Sequence, residues 1–130
     1  AALLAFADAK LRSGADLVMS ATRFDERARA SDLVVTGEGR VDAQSGYGKV
    51  TGAVVERAKA LGKPVAIIAG GVAPGYEVLF RSGLAALEVA SEGVASLEEA
   101  MRQGEALISS AAERLARSDA LARALPFRPS

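Results

Sequence analysis

The sequence predicts an α/β fold in which a mostly parallel sheet of about four strands lies between two layers of helices. Short apolar runs alternate with segments of helical periodicity, and Gly or Pro stands at the joints between them. The connections are short, and right-handed crossovers turn such units into a parallel sheet covered on both faces. Aromatic residues make up only 5% of the chain, which favours close helix-on-sheet packing over an aromatic-rich β-sandwich.

The strands are predicted from short apolar runs bounded by polar residues or turn residues. The run from Val65 to Ala69 is the most apolar in the chain, which is typical of a parallel strand buried on both faces. We therefore expect it at the centre of the sheet. The predicted strands are residues 15–20, 33–36, 65–69 and 86–89.

The helices are predicted from apolar residues at helical spacing and from start and stop signals. Ser13-Gly14 is expected to end the first helix, Thr22 to cap the second, and Gly62 and Gly83 to close the third and fourth. The predicted helices are residues 3–11, 24–30, 50–61, 76–82 and a long one that begins at 96 and breaks near 118.

The carboxyl-terminal region, residues 96–125, is expected to be helical. Ser96 and Glu99 form a capping-box pattern at its start. Apolar residues then recur at alternating spacings of four and three, which predicts a stripe that packs on the sheet. Met101 lies in that stripe and is interpreted as a core residue rather than a ligand of a cofactor.

Composition limits the classes of function. The 16 basic residues equal the 16 acidic residues in number, so no overall field favours nucleic acid or an anionic membrane surface. Neither Cys nor His occurs, and acid–base or metal chemistry would therefore depend on carboxylates. The chain is expected to be a single domain, 1–130, of a cytoplasmic protein. Its amphipathic first residues, without Met, suggest that it is part of a longer protein.

Residues 37–49 are the predicted active-site loop. They follow the apolar strand 33–36 and combine glycines with acidic and basic residues, a composition that cannot fill a core. A charged, glycine-rich loop at the carboxyl end of a buried strand lies where open α/β sheets bind their ligands. The amino terminus of the next helix adds free N–H groups and the positive end of its dipole.

Two phosphate-binding motifs fail in this loop. A P-loop would need Gly at position 43 and Ser or Thr at position 50, where the chain has Ala43 and Val50. A dinucleotide fingerprint would need a third Gly at position 42, where the chain has Asp42. A nucleotide-dependent oxidoreductase domain is therefore disfavoured.

The charged residues of the loop suggest an anionic ligand. Arg40 and Lys49 can bind a phosphate or carboxylate beside a helix start, or they can be two solvated cations. Glu38 and Asp42 can hold a hydrated magnesium ion, or one of them can accept a proton from a substrate hydroxyl. Alternatively, the two acids pair with the two bases and only order the loop.

Polar and glycine residues complete the candidate site. Gln44, Ser45 and Tyr47 can donate hydrogen bonds to a ligand, although such residues usually face water. Gly70 and Gly71 follow the apolar strand 65–69 and either let the backbone approach a ligand or simply end that strand. Because both glycine segments would open at the same edge of the sheet, we expect them to form one site.

Residues 32–49, DLVVTGEGRVDAQSGYGK, resemble the signature of the type I glycerate kinases. That signature reads close to D-L-V-[IV]-T-G-E-G-R-[IV]-D-x-Q-[ST]-x-x-G-K. The similarity extends to residues 14–18, to the segment from Ala58 to Gly70, and to residues 96–100. The matching positions are Thr36, Gly37, Glu38, Gly39, Arg40, Asp42, Gln44, Ser45, Gly48 and Lys49.

The resemblance implies a Rossmann- or flavodoxin-like portion of a two-domain kinase that transfers the γ-phosphoryl group of ATP, with Mg²⁺, to a hydroxyl of glycerate. The chain would be the carboxyl-terminal third of that kinase and inactive alone. Arg40 and Lys49 would neutralise phosphate or carboxylate, and Glu38 or Asp42 would position magnesium or the acceptor hydroxyl. The competing interpretation is a non-catalytic module that binds a small anion or a partner through residues 37–49. A homodimer is left open.

Overall fold

A parallel sheet of three strands forms the centre of the fold: β1 (Val34–Val41), β2 (Val65–Val72) and β3 (Leu84–Val89). The computed structural model describes residues 13–46 and 50–125. β2 lies between β1 and β3, and both pairs are parallel. The predicted α/β class and parallel sheet are confirmed, but the described residues form three strands rather than about four.

Helices cover both faces of this sheet. The described residues form seven α-helices and a 3-10 helix: α1 (Gly14–Ala21), α2 (Phe24–Arg29), the 3-10 helix (Ala43–Gly46), α3 (Val50–Ala60), α4 (Val78–Ser82), α5 (Leu97–Arg102), α6 (Gly104–Ala116) and α7 (Asp119–Ala124). α3 and α4 pack on one face, and α6 and α7 pack on the other.

The core is divided by the sheet, as the alternation of side chains along β2 requires. Val65, Ile67 and Ala69 face α3 and α4, whereas Ala66 and Ile68 face α6 and α7. The first face holds the larger buried cluster: Val41, Val55, Ala58, Val65, Ile67, Ala69, Leu79 and Leu84. β2 is thus the central, apolar strand that its sequence predicts.

The predicted strand at residues 15–20 is wrong, because this segment lies in α1. Ser13 begins the helix instead of ending an earlier one: its hydroxyl accepts a hydrogen bond from the Asp16 backbone N–H at 3.0 Å. Leu17 and Val18 are exposed at 49% and 62%, which a strand buried on both faces would not allow. The helix predicted at 3–11 lies outside the described residues.

The predicted cap of α2 is also wrong. The Thr22 hydroxyl donates to the carbonyl of Val18 at 2.9 Å and so closes α1. Arg23 precedes α2 in the left-handed conformation, with φ of 54°, and makes no side-chain cap. Its guanidinium instead pairs with Glu26 one turn later.

β1 is longer than its apolar part, and this corrects the predicted loop boundary. Residues 37–41 continue the strand because β2 continues beside them, in register from Val34 with Val65 to Val41 with Val72. Gly70 and Gly71 likewise lie within β2 rather than in a turn after it. The backbone ladder extends through glycines that the side-chain pattern marks as loop.

The carboxyl-terminal helical region is interrupted earlier than predicted. Ser96 caps α5 by accepting from the Glu99 N–H at 3.2 Å, but the helix stops at Arg102 and α6 begins at Gly104. The prediction that Met101 is a core residue is wrong, since its side chain is 75% exposed. Only the later part of the stripe, Ala111 and Leu115, is buried.

An ion pair joins α2 to α3 on the same face of the sheet. The Arg57 guanidinium of α3 donates to both carboxylate oxygens of Asp25 in α2, with an Nε to Oδ1 distance of 2.7 Å. Arg29 lies 3.9 Å from the same carboxylate. The hydrogen bond from Arg57 lowers the pKa of Asp25 below its ordinary value of 3.8.

This pair predicts a pH dependence of stability. Because the pKa is lowered in the folded state, the contribution is fully present above about pH 3.8 and is lost as the pH falls through the folded-state value. Asp25→Asn should therefore flatten the acid limb of the free energy of unfolding, measured by urea titration from pH 6 down to below the folded-state pKa of Asp25. Arg57→Gln should flatten it similarly, and the double variant should add little. Equal acid slopes in the wild type and Asp25→Asn would contradict the assignment.

Candidate functional site

The carboxyl ends of β1 and β2 approach each other closely at two glycines. A Cβ atom at Gly70 would lie 2.5 Å from the carbonyl oxygen of Gly39, a distance that side-chain-bearing residues do not tolerate. On the other side, the Ser91 hydroxyl and backbone N–H both donate to the Gly70 carbonyl. The glycine at position 70 is therefore required by packing at this edge of the sheet.

A cavity of about 690 Å³ opens at this edge, between the strand ends and the helices α5 and α6. Its sheet side is formed by Gly39, Arg40, Gly70 and Gly71, which are four of the predicted site residues. The parallel topology brings the two glycine segments together as the sequence predicts. That they bind a ligand remains a prediction.

Arg40 is the charged residue of this cavity. It is exposed and lies opposite Gly71 in the strand register. No ion pair joins its guanidinium to another residue of 13–46 or 50–125. A guanidinium without a carboxylate partner, beside glycine backbone, can offer its planar set of donors to a bound anion.

Glu38 is turned to the other helical layer, towards the start of α3. One carboxylate oxygen accepts from the Thr51 hydroxyl at 2.7 Å, and the other accepts from the Gly39 N–H at 3.1 Å. Thr51 lies in the first turn of α3 and is 1% exposed. The positive end of the helix dipole favours a carboxylate here. Glu38 and Arg40 are thus separated rather than paired with each other.

Asp42 organises the chain between β1 and α3. Its Oδ1 accepts hydrogen bonds from the backbone N–H groups of Gln44 and Ser45, at 2.9 and 3.0 Å, and from the Ser45 hydroxyl at 3.1 Å. Ser45 is fully buried, and its hydroxyl in turn accepts from the Asp42 N–H at 3.0 Å. These contacts make Asp42 the cap of the 3-10 helix. The Gln44 side chain is exposed.

The remaining predicted residues divide into two groups. Thr36 and Gly37 lie within β1, opposite Ile67 and Ile68 of β2, below the cavity. Tyr47, Gly48 and Lys49 lie outside the described residues. The predicted pairing of Arg40 with Lys49 around one anion therefore remains a prediction.

Magnesium ligation by Glu38 and Asp42 is likewise a prediction. Carboxylates are the ligands that Mg²⁺ prefers in proteins, so the residue types suit the ion. Each of the two carboxylates already holds its own set of hydrogen bonds. In the part of the chain that the structure describes, no group of three or more His, Cys, Asp or Glu side chains converges to hold a metal.

Sequence reasoning missed several residues at this edge. Thr51 gave no signal because it lies among apolar and glycine residues at a helix start. Ser91 follows β3 in a polar turn and has no recognisable motif. The far wall of the cavity includes Leu97, Met101 and Ile108, which the four-three spacing had assigned to a stripe packed on the sheet.

The fold and the site together define an α/β domain with a cationic, glycine-lined cavity at the carboxyl edge of a parallel sheet. Among the described helices, none combines the length and apolar content that a membrane span requires. A sequence model of the glycerate kinase family matches residues 1–119. The chain belongs to the glycerate kinase family.

Individual relatives agree with this assignment. The chain is 46% identical to a glycerate kinase of Halalkalibacterium halodurans over 116 residues, covering 89% of the chain and 30% of the relative. It is 40% identical to a glycerate 2-kinase of Escherichia coli over 102 residues, covering 78% of the chain and 27% of the relative. A glycerate kinase of Bacillus subtilis is 33% identical over 95% of the chain and 32% of the relative. The chain thus spans about 30% of the length of these relatives.

The glycine contact predicts different effects of the same substitution at neighbouring positions. Gly70→Ala places a methyl group against the Gly39 carbonyl and should lower the free energy of unfolding by about 1–3 kcal/mol. At Gly71 the nearest atom to an added Cβ is the Ser91 hydroxyl at 3.9 Å, so Gly71→Ala should change the free energy of unfolding by less than about 0.5 kcal/mol. Urea unfolding of both variants gives the comparison. Equal losses would show that the contact between β1 and β2 is not what restricts position 70.

The hydrogen bond between Thr51 and Glu38 predicts a cost for removing one hydroxyl. Thr51→Val keeps the side-chain volume but leaves the Glu38 carboxylate without this donor, and should cost about 1.5 kcal/mol of unfolding free energy. Thr51→Ser should retain most of the stability. The control is Thr22→Val, whose hydroxyl bond to Val18 is exposed and should matter by less than about 0.5 kcal/mol. A Thr51→Val variant as stable as the wild type would contradict the interpretation.

Proposed function

We propose that the protein containing this chain is an ATP-dependent glycerate kinase, which transfers the γ-phosphoryl group of ATP to a hydroxyl of glycerate. Family membership over residues 1–119 supports the reaction class. The observation that carries the proposal is Arg40, a guanidinium without an ion-pair partner among the described residues, in a cavity formed by two glycine-bearing strand ends. Such an arrangement suits an anionic substrate whose charge grows or shifts in the reaction.

In the proposed reaction a glycerate hydroxyl oxygen forms a bond to the γ-phosphorus while the bond from that phosphorus to ADP breaks. Catalysis of phosphoryl transfer consists mostly of positioning and charge neutralisation. Arg40, together with Lys49, would bind the transferring phosphate or the glycerate carboxylate. Glu38 or Asp42 would take the proton of the acceptor hydroxyl or hold Mg²⁺, which when bound neutralises charge on the phosphate oxygens.

The roles of the two acids differ in what supports them. Glu38 is held at the start of α3 by Thr51, and carboxylates positioned in this way keep a fixed orientation for a proton or an ion. Asp42 is engaged with the backbone of the 3-10 helix. Asp42 therefore acts first by shaping the segment 43–46, and a direct part in catalysis would add to that role.

The length of the relatives bears on what this chain does alone. Because phosphoryl transfer needs neutralising groups on several sides of the phosphate, residues beyond this chain would complete the site. We expect the chain to form the carboxyl-terminal third of the kinase and to be inactive in isolation. The proposal also includes glycerate and ATP as the small-molecule partners and a cytoplasmic location. Residues 1–130 would form a single domain, and a homodimer is left open.

A non-catalytic function is the second candidate. Both acidic residues of the site already have hydrogen-bond partners within the chain, while Arg40 has no ion pair among described residues. This distribution would equally suit a module that binds a small anion without turnover. The kinase and the binding module differ in one measurable quantity, the glycerate-dependent release of ADP.

Substitution of Arg40 tests the proposal. In the full-length protein that contains this sequence, Arg40→Ala should lower kcat/KM for glycerate phosphorylation by more than about tenfold, because it removes charge stabilisation at the phosphate. Coupled detection of ADP measures the rate. The control is Arg81→Ala, since Arg81 is exposed in α4, and it should leave kcat/KM within about twofold. An unchanged Arg40→Ala enzyme would remove Arg40 from the site, and absence of ADP release by the wild type would overturn the kinase itself.

A further inference from the structure

The cavity at the carboxyl edge has two chemically different walls. The sheet wall consists of Arg40 and the glycine backbones, and the opposite wall is apolar. The apolar wall contains large side chains that remain open to solvent: Leu97 is 78% exposed, Met101 75% and Ile108 55%. A surface with three such residues beside a guanidinium calls for a ligand with one anionic and one apolar part.

The two substrates of the proposed reaction differ in this respect. Glycerate is a small, highly polar hydroxy acid, and it has no group that gains from contact with Leu97 or Met101. A nucleoside triphosphate has a planar base with extensive apolar surface and a chain of anionic phosphates. The volume of about 690 Å³ also lies inside the range of roughly 300–1,000 Å³ usual for sites of larger small molecules.

We propose that this cavity is the nucleoside triphosphate site, with the base against Leu97, Met101 and Ile108 and the phosphates directed towards Arg40 and the Gly70-Gly71 backbone. The assignment rests on the proposed kinase function and adds to it which substrate occupies the cavity and which side chains hold the base. The charge of Arg40 matches the phosphates, and the apolar wall matches the base. Met side chains adapt well to flat aromatic groups because the thioether is polarisable and unbranched.

The break between α5 and α6 supports this orientation. α5 ends at Arg102 and α6 begins at Gly104, so Leu97 and Met101 line the cavity while Leu115, in the later part of the same stripe, packs in the core. Residues on α5 can therefore contact a ligand without being needed for the packing of the sheet. Substitutions at Leu97 and Met101 should consequently leave the fold intact.

Equilibrium binding with two probes tests the assignment independently of turnover. In the full-length protein, the double variant Leu97→Gln with Met101→Gln should weaken ATP binding by about tenfold, because two apolar contacts with the base are lost. Inorganic triphosphate has the phosphates but no base, and its affinity should stay within about twofold. Arg40→Ala should weaken the binding of both ATP and inorganic triphosphate. Isothermal titration calorimetry in buffer with Mg²⁺ measures the affinities of the wild type, the double variant and Arg40→Ala for both probes.

The matched control is Leu17→Gln, the same change at an exposed residue of α1, which should alter neither affinity. Unchanged ATP binding by the double variant, with an active wild type, would overturn this assignment and leave the kinase proposal standing. Equal weakening of ATP and inorganic triphosphate would also overturn it, because the effect would not depend on the base. A shift in oligomeric state at unchanged ATP affinity would identify the wall as a protein contact instead. If the wild type neither binds ATP nor phosphorylates glycerate, both proposals fail.

Discussion

The parallel pairing of β1 with β2 through their carboxyl ends is the constraint on which the site depends. The ladder continues to Val41 and Val72, well past the apolar part of either strand, and it can do so only because Gly70 has no Cβ to meet the Gly39 carbonyl. On the side of β3, the Ser91 hydroxyl donates a hydrogen bond to the Gly70 carbonyl. This close contact determines where the next residues of both strands lie, and so it places Arg40 beside Gly71 at the cavity.

The same strand separates opposite charges that lie only two residues apart. Glu38 is drawn to the first turn of α3, where a buried hydroxyl and the helix dipole both favour its carboxylate. Arg40 faces the cavity on the side of α5 and α6. Had the two side chains paired, the charge of the guanidinium would already be neutralised within the chain. Because the neutral hydroxyl of Thr51 holds the acid instead, the cavity keeps a positive potential.

Sequence reasoning predicted the parts of this fold that depend on burial. Continuous patterns that tertiary contacts reinforce occur in the runs at 65–69 and 86–89 and in the helix from Val50. The fold class and the parallel topology could therefore be predicted from them. The signature residues from Gly39 to Ser45 also fall at the carboxyl edge, whereas Thr36 and Gly37 lie within β1. The pair Ser13-Gly14 was ambiguous, because Ser can start a helix and Gly can end one. Which of these occurs depends on the conformation of the segments before and after the pair, and a local pattern does not contain that information.

The early part of the carboxyl-terminal stripe could not be assigned for a different reason. Spacing of four and three describes one face of a continuous helix, and it predicts that Met101 and Leu115 share an environment. The turn at Gln103 breaks this relation: Leu115 joins Ala66 and Ala86 in the core, whereas Met101 is turned to the cavity. Both environments contain apolar residues, in one case buried against the sheet and in the other exposed at the cavity. Periodicity detects the shared apolar character, and only the three-dimensional arrangement separates a buried core residue from an exposed residue that lines a cavity.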